Sequence, residues 1–77
     1  MVSAFILIRS DSGTERELLE NLEDFDEIAE IDIIYGEWDI IAKIEMEGDV
    51  TALKDFVLSK IRPLTGVKHT STLIATE

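Results

Sequence analysis

The pattern of apolar and polar positions changes period several times along the chain. From Val2 to Ile8 every residue except Ser3 is apolar, and the run is too short for a helix. It predicts a β-strand buried on both faces. Asp11-Ser12-Gly13-Thr14 breaks the run, and Ser12 with Glu15, or Thr14 with Glu17, has the spacing of a capping box at a helix start. The following segment places Leu18, Leu19, Leu22 and Phe25 on one side, with Glu17, Glu20, Glu23 and Asp24 mostly outside that stripe. An amphipathic helix laid on a sheet has this pattern.

Between Ile28 and Met46 the period becomes two. Ile31, Ile33 and Tyr35 alternate with Glu30 and Asp32, and beyond Gly36 the residues Ile40, Ala42, Ile44 and Met46 alternate with Asp39, Lys43 and Glu45. Two strands joined through Tyr35-Gly36-Glu37-Trp38-Asp39 make a hairpin, in which Gly36 is free to take a positive φ. Gly48-Asp49 then ends the strand and supplies Asp49 as an N-cap. Val50, Leu53, Phe56, Val57 and Ile61 form the stripe of a second helix, stopped by Pro63. Gly66 introduces a last strand from Val67 to Thr76, with Thr70, Thr72, Ile74 and Thr76 in one phase and Val67, Leu73 and Ala75 in the other.

The order strand, helix, strand, strand, helix, strand predicts an α+β fold of ferredoxin-like βαββαβ type. It has a four-stranded antiparallel sheet with both helices on one face. The helices leave the other face open. In the first strand both phases are apolar, Phe5 and Leu7 in one and Ala4, Ile6 and Ile8 in the other. A second copy of the sheet is the simplest cover for such a strand, so the pattern predicts a homodimer joined through the open face.

Composition narrows the function. The 77 residues, 8.7 kDa in mass, suit one domain spanning 1–77. The net charge is −10, and its placement is uneven: residues 1–39 hold 12 acids and 2 bases, whereas residues 40–77 hold 5 of each. Such a surface repels phosphate backbones, which argues against direct nucleic-acid binding by this chain. The acid is expected on the helix-covered side of the sheet. Without cysteine there is no disulfide framework or thiolate site. No apolar run approaches the ~20 residues of a membrane span, and the start lacks the basic flank of a signal peptide. A cytoplasmic protein with no membrane partner is expected.

The candidate chemistry is sparse. Glu37 and Asp39 alternate on a hairpin and could converge, yet such acids are ordinarily solvated. His69 is the single histidine, and no HxH or HExxH spacing is present, so neither a metal site nor a cofactor is expected. The four glycines are dispersed at element boundaries rather than gathered in a phosphate loop. Trp38 either caps the edge of the core or lies in an interface. Thr65, Thr70, Ser71 and Thr72 supply hydroxyls able to hydrogen-bond a small zwitterion.

Tyr35-Gly36-Glu37-Trp38-Asp39-Ile40-Ile41-Ala42-Lys43-Ile44 and Leu64-Thr65-Gly66-Val67-Lys68-His69-Thr70-Ser71-Thr72-Leu73-Ile74 together resemble two segments of a known family. This is the RAM, or effector, domain of the leucine-responsive regulatory protein/AsnC family of transcription regulators. Gly36 and Asp39 match its Gly-x-x-Asp before an apolar strand. Gly66, Val67, Thr70 and Thr72 match its Pro-Gly-Val-like turn and Thr-x-Thr strand, although Leu64-Thr65-Gly66 stands where the family has Leu-Pro-Gly. Because the chain begins at the first strand, the resemblance implies a stand-alone effector domain without the helix-turn-helix. It further implies sheet-to-sheet dimers, their association into octamers or similar rings, and amino-acid binding in clefts between dimers. Full-length helix-turn-helix relatives are implied as further partners.

Physical chemistry assigns parts to those residues. Asp39 could accept from an ammonium group, the N–H groups of Gly36, Glu37 and Trp38 could donate to a carboxylate, and Tyr35 or Trp38 could wall a side chain. The resemblance further implies that Thr70, Ser71 and Thr72 of a neighbouring subunit add polar groups. The expected function is therefore a non-enzymatic amino-acid-binding oligomer in transcription or amino-acid regulation. The alternative is a small dimeric ferredoxin-like enzyme of the cofactor-free monooxygenase or isomerase type, for which His69 is the candidate base.

Overall fold

The computed structural model describes residues 1–74. Its elements are β1 (Val2–Ser10), α1 (Glu15–Glu23), β2 (Ile28–Ile33), β3 (Ile40–Met46), α2 (Val50–Phe56), which continues as one π-helical turn (Val57–Ile61), and β4 (Val67–Ile74). The sheet order is β2-β3-β1-β4, and all three pairings are antiparallel. Each helix-bearing connection therefore steps over one intervening strand, which gives the βαββαβ arrangement expected from the periods. The last-strand positions Ala75 and Thr76 lie outside the described residues.

The core sits between the sheet and its two helices. Ala4, Ile6 and Ile8 of β1 and Ile40, Ala42 and Ile44 of β3 meet Leu18 and Leu22 of α1 and Leu53, Phe56, Val57 and Ile61 from the second helical segment. Phe25 and Phe56 close one end of this layer edge to face, with ring centroids 5.6 Å apart. The other phase of the central strands forms the open face. There Phe5 lies opposite Lys43 and Leu73, and Leu7 lies opposite Ile41 and Ser71. No helix of the described residues is long and apolar enough to cross a membrane.

Several local expectations are revised. Neither capping box forms at α1: the Thr14 hydroxyl donates instead to the Asp11 carbonyl (2.6 Å), which closes the preceding turn. Asp49 does cap α2, accepting from the Ala52 N–H at 3.1 Å. The second helix widens before Pro63, and the Arg62 N–H reaches the Val57 carbonyl five residues back. In β4 the register shifts beside Arg9 and Ser10, so that Val67 pairs with Ser10 and packs against the core rather than sharing a face with Leu73. Lys68 is the extra residue of that bulge, and an extra residue reverses the phase on one side of it.

The acid is also distributed differently. Glu30 and Asp32 pair with Lys43 and Ile41, which puts them on the open face together with Glu45. The surplus on α1 is exposed on the helix-covered side, as expected.

Candidate functional site

The β2–β3 hairpin is tied to the end of β1 from both sides of the strand. Asp39 donates its N–H to the Ile8 carbonyl (2.9 Å), and its carbonyl accepts from Ile34 (2.9 Å). Its carboxylate oxygen Oδ2 accepts from the Ser10 N–H at 2.8 Å and from the Ser10 hydroxyl at 3.3 Å. Ser10 is buried, so this carboxylate satisfies a polar group that has left water. Its second oxygen, Oδ1, accepts no hydrogen bond among the described residues.

Arg9 grips the same loop from the open face. Its Nε and Nη2 both donate to the Glu37 carbonyl, at 3.0 and 2.7 Å, and its guanidinium carbon lies 5.4 Å from the centroid of the Trp38 ring. The Glu37 carboxylate is 3.9 Å from Nη2 and three-quarters exposed, so it adds little to the contact. Gly36 has φ +133°, a conformation that L side chains rarely adopt, which is the backbone reason for glycine at this turn. The N–H groups of Gly36, Glu37 and Trp38 have no acceptor among the described residues.

Two grooves flank the hairpin. One, of about 470 Å³, is lined by Arg9, Ser10, Ser12, Glu15, Gly36, Glu37, Asp39 and Lys68. The other, of about 280 Å³, has Ile33, Ile34 and Tyr35 beside Glu15, Arg16 and Asp39. Asp39 and Glu15 line both, so a polar compartment holding both signs of charge adjoins one with apolar walls. Tyr35 is fully exposed at the tip.

The structure thus brings Tyr35, Gly36, Glu37, Trp38 and Asp39 together, but not the polar residues of β4. Thr70 and Thr72 line a separate groove of about 250 Å³ with Lys54, Val57, Leu58 and Arg62. Ser71 turns to the open face opposite Leu7. His69 is exposed on that face opposite Arg9, and none of these three grooves includes it. No group of acids and histidine able to hold a metal ion occurs among the described residues.

Sequence reasoning missed Arg9, Ser10 and Lys68. Arg9 left a signal, being one of only two bases in the first 39 residues and ending an otherwise apolar strand. Ser10 left none, since it acts partly through its backbone N–H. Lys68 reaches the groove beside a bulge that periodicity does not reveal.

A four-stranded antiparallel sheet with two helices on one face and a polar groove at the hairpin end defines a ferredoxin-like α+β domain. The chain belongs to the Lrp/AsnC ligand-binding domain family, whose model matches residues 3–77. It is 36% identical over 76 residues to an uncharacterized helix-turn-helix-type transcriptional regulator of Pyrococcus abyssi, covering 95% of this chain and 50% of that protein. The chain spans about half the length of the curated relatives it matches.

Among solved structures, FFRP-DM1 superposes with a TM-score of 0.93 at 41% identity, over 99% of this chain and 100% of that one. AsnC of Escherichia coli superposes with a TM-score of 0.90 at 30% identity, over 99% of this chain and 51% of that one. A transcriptional regulator of Neisseria meningitidis, solved as its L-Met complex, shares the fold at 20% identity, with a TM-score of 0.87 over 99% of this chain and 50% of that one.

Proposed function

We propose that this chain is the effector-binding part of an oligomeric regulatory system and binds an amino acid at the β2–β3 hairpin without catalysing a reaction. The observation that carries the reading is the hairpin groove, where the N–H groups of Gly36 and Glu37, which have no acceptor among the described residues, stand beside Asp39 and the cations Arg9 and Lys68. A zwitterion needs this combination: donors for its carboxylate and an acceptor for its ammonium group. The apolar walls of Ile33, Ile34 and Tyr35 in the adjoining groove supply room for its side chain. The L-Met bound to the Neisseria regulator supports the class of ligand.

The covering of the open face by a second copy belongs to the same reading. Phe5 and Leu73 are 41% and 50% exposed on neighbouring strands, with Leu7 and Ile41 beside them, and a two-fold pairing of sheets would remove this stripe from water. Further association into rings would bring β4 of one dimer, with Thr70 and Thr72, toward the hairpin of another. The net charge of −10 favours regulation through a DNA-binding relative rather than direct DNA contact by this chain. The names of the relatives, transcriptional regulators throughout the curated matches, support a role other than catalysis.

Calorimetry with the twenty amino acids on the wild type and on Asp39→Asn tests the site. The asparagine keeps an acceptor for Ser10 while removing the charge offered to an ammonium group. Saturable binding by the wild type, weakened in the variant, is expected. No binding of any amino acid, or equal binding by both proteins, overturns the reading.

A further inference from the structure

Consecutive residues of a strand point to opposite faces, so Arg9 and Ser10 leave β1 on opposite sides. Both nevertheless hold the same hairpin: Ser10 takes the Asp39 carboxylate from the helix-covered side, and Arg9 takes the Glu37 carbonyl from the open side. The register shift of β4 falls at this same pair, where a bulge locally re-aims side chains. The two contacts do different things. Asp39 anchors the base of the loop into the sheet, being bonded also to Ile8 and Ile34. Arg9 acts on a peptide group near the tip, which has no other tie to β1 among the described residues.

That peptide group has a fixed internal geometry. No cis peptide bond occurs among the described residues, so the carbonyl of Glu37 and the N–H of Trp38 point to opposite sides of the chain. Two guanidinium N–H groups on the carbonyl oxygen fix the direction of the C=O, and the Trp38 ring against the guanidinium fixes the rotation of the next residue. With the carbonyl held toward β1, the Trp38 N–H is held away from it and lacks an acceptor among the described residues.

We infer that Arg9 is the positioning residue of the effector site: by clamping the Glu37 carbonyl it holds Gly36 and Glu37, which line the hairpin groove, in the one orientation that the ligand meets. The inference rests on the amino-acid reading for the identity of the ligand, but not for the orientation of the loop. A flexible glycine next to the clamped peptide makes the device necessary, because Gly36 imposes no side-chain restraint of its own and nothing lies within 4 Å of the place its Cβ would occupy.

The test compares wild type, Arg9→Met and Arg9→Lys by amide NMR and hydrogen exchange without ligand, then by calorimetry with the amino acid that binds the wild type most tightly. In Arg9→Met the amides of Gly36, Glu37 and Trp38 should shift, while those of Ser10 and Asp39 and the sedimentation mass stay as in wild type. Affinity should fall about tenfold, the cost of ordering on binding a loop that is no longer held, with partial recovery in Arg9→Lys, which keeps the charge but not the fork. Undisturbed loop amides in Arg9→Met overturn the inference, and so does ligand affinity equal to wild type. A disturbed loop in a protein whose wild type binds no amino acid upholds the positioning role and refutes the amino-acid reading. Loss of folding or of assembly in both variants would show that Arg9 is structural and overturn its positioning role.

Discussion

The two faces of β1 are almost equally apolar in sequence and end in opposite environments. Ala4, Ile6 and Ile8 are at most 1% exposed beneath the helices, whereas Phe5 on the other face is 41% exposed. The difference lies in what covers each face, not in the residues. Apolar area buried within the chain stabilises the fold at about 25 cal/mol per Å², while the same area on the open face contributes only when a second molecule removes it from water. One face therefore encodes the fold, and the other carries the proposed association.

The sharpest way to break this comparison is to damage each face in turn. Ile6→Ala should cost about 2–5 kcal/mol in a denaturant melt, because a fully buried side chain leaves a cavity between the sheet and both helices. Phe5→Glu should leave the far-UV circular dichroism unchanged and move the sedimentation mass to that of one 8.7 kDa chain, since a carboxylate cannot be buried unpaired between two sheets. If Phe5→Glu instead unfolds the chain at micromolar concentration, the two faces are not separable and folding is coupled to assembly.

A smaller pair of changes tests the hairpin anchor that joins the faces. Asp39→Ala should destabilise by about 1.5–3 kcal/mol, having removed a charge-assisted bond and left the N–H of buried Ser10 without its acceptor. Asp39→Asn, which can still accept that bond, should cost clearly less in the same thermal melt. The smallest contrast is between the two helix starts on the covered face. Asp49→Ala should cost about 1 kcal/mol, as a capping bond to Ala52 is lost, and Thr14→Val less, since the Thr14 hydroxyl ties a turn and satisfies no N–H of α1.

Much of this fold was legible in the sequence. The runs around Ile6, Leu22, Ile44 and Leu53 carry their periods without ambiguity, and the Gly48-Asp49 boundary carries its cap. The hairpin proposed to hold the site was legible as the segment Tyr35 to Asp39, because those residues are contiguous. Its partners were not, since Arg9, Ser10 and Lys68 come from β1 and β4, and their approach depends on strand order and on a bulge. Thr70, Ser71 and Thr72 were expected at the hairpin of a neighbouring subunit; within one chain the two threonines line the groove beside Lys54 and Arg62. The expectation that the acid lies on the helix-covered side, mainly on the first helix and the loop behind it, does not extend to Glu30 and Asp32, whose face is set by pairing with Lys43 and Ile41 rather than by local charge.

The sequence by itself determined the order and type of the elements, the doubly apolar first strand and the glycine at the hairpin, because these follow from side-chain period and backbone sterics within a few residues. Only the tertiary structure decided which groups of distant segments meet. Asp39 is the clearest instance: read alone it is a free carboxylate, and in the fold one of its oxygens is committed to Ser10 while the other has no partner among the described residues. Hydrogen bonding across the sheet joins residues 29 positions apart, and no local pattern records that register.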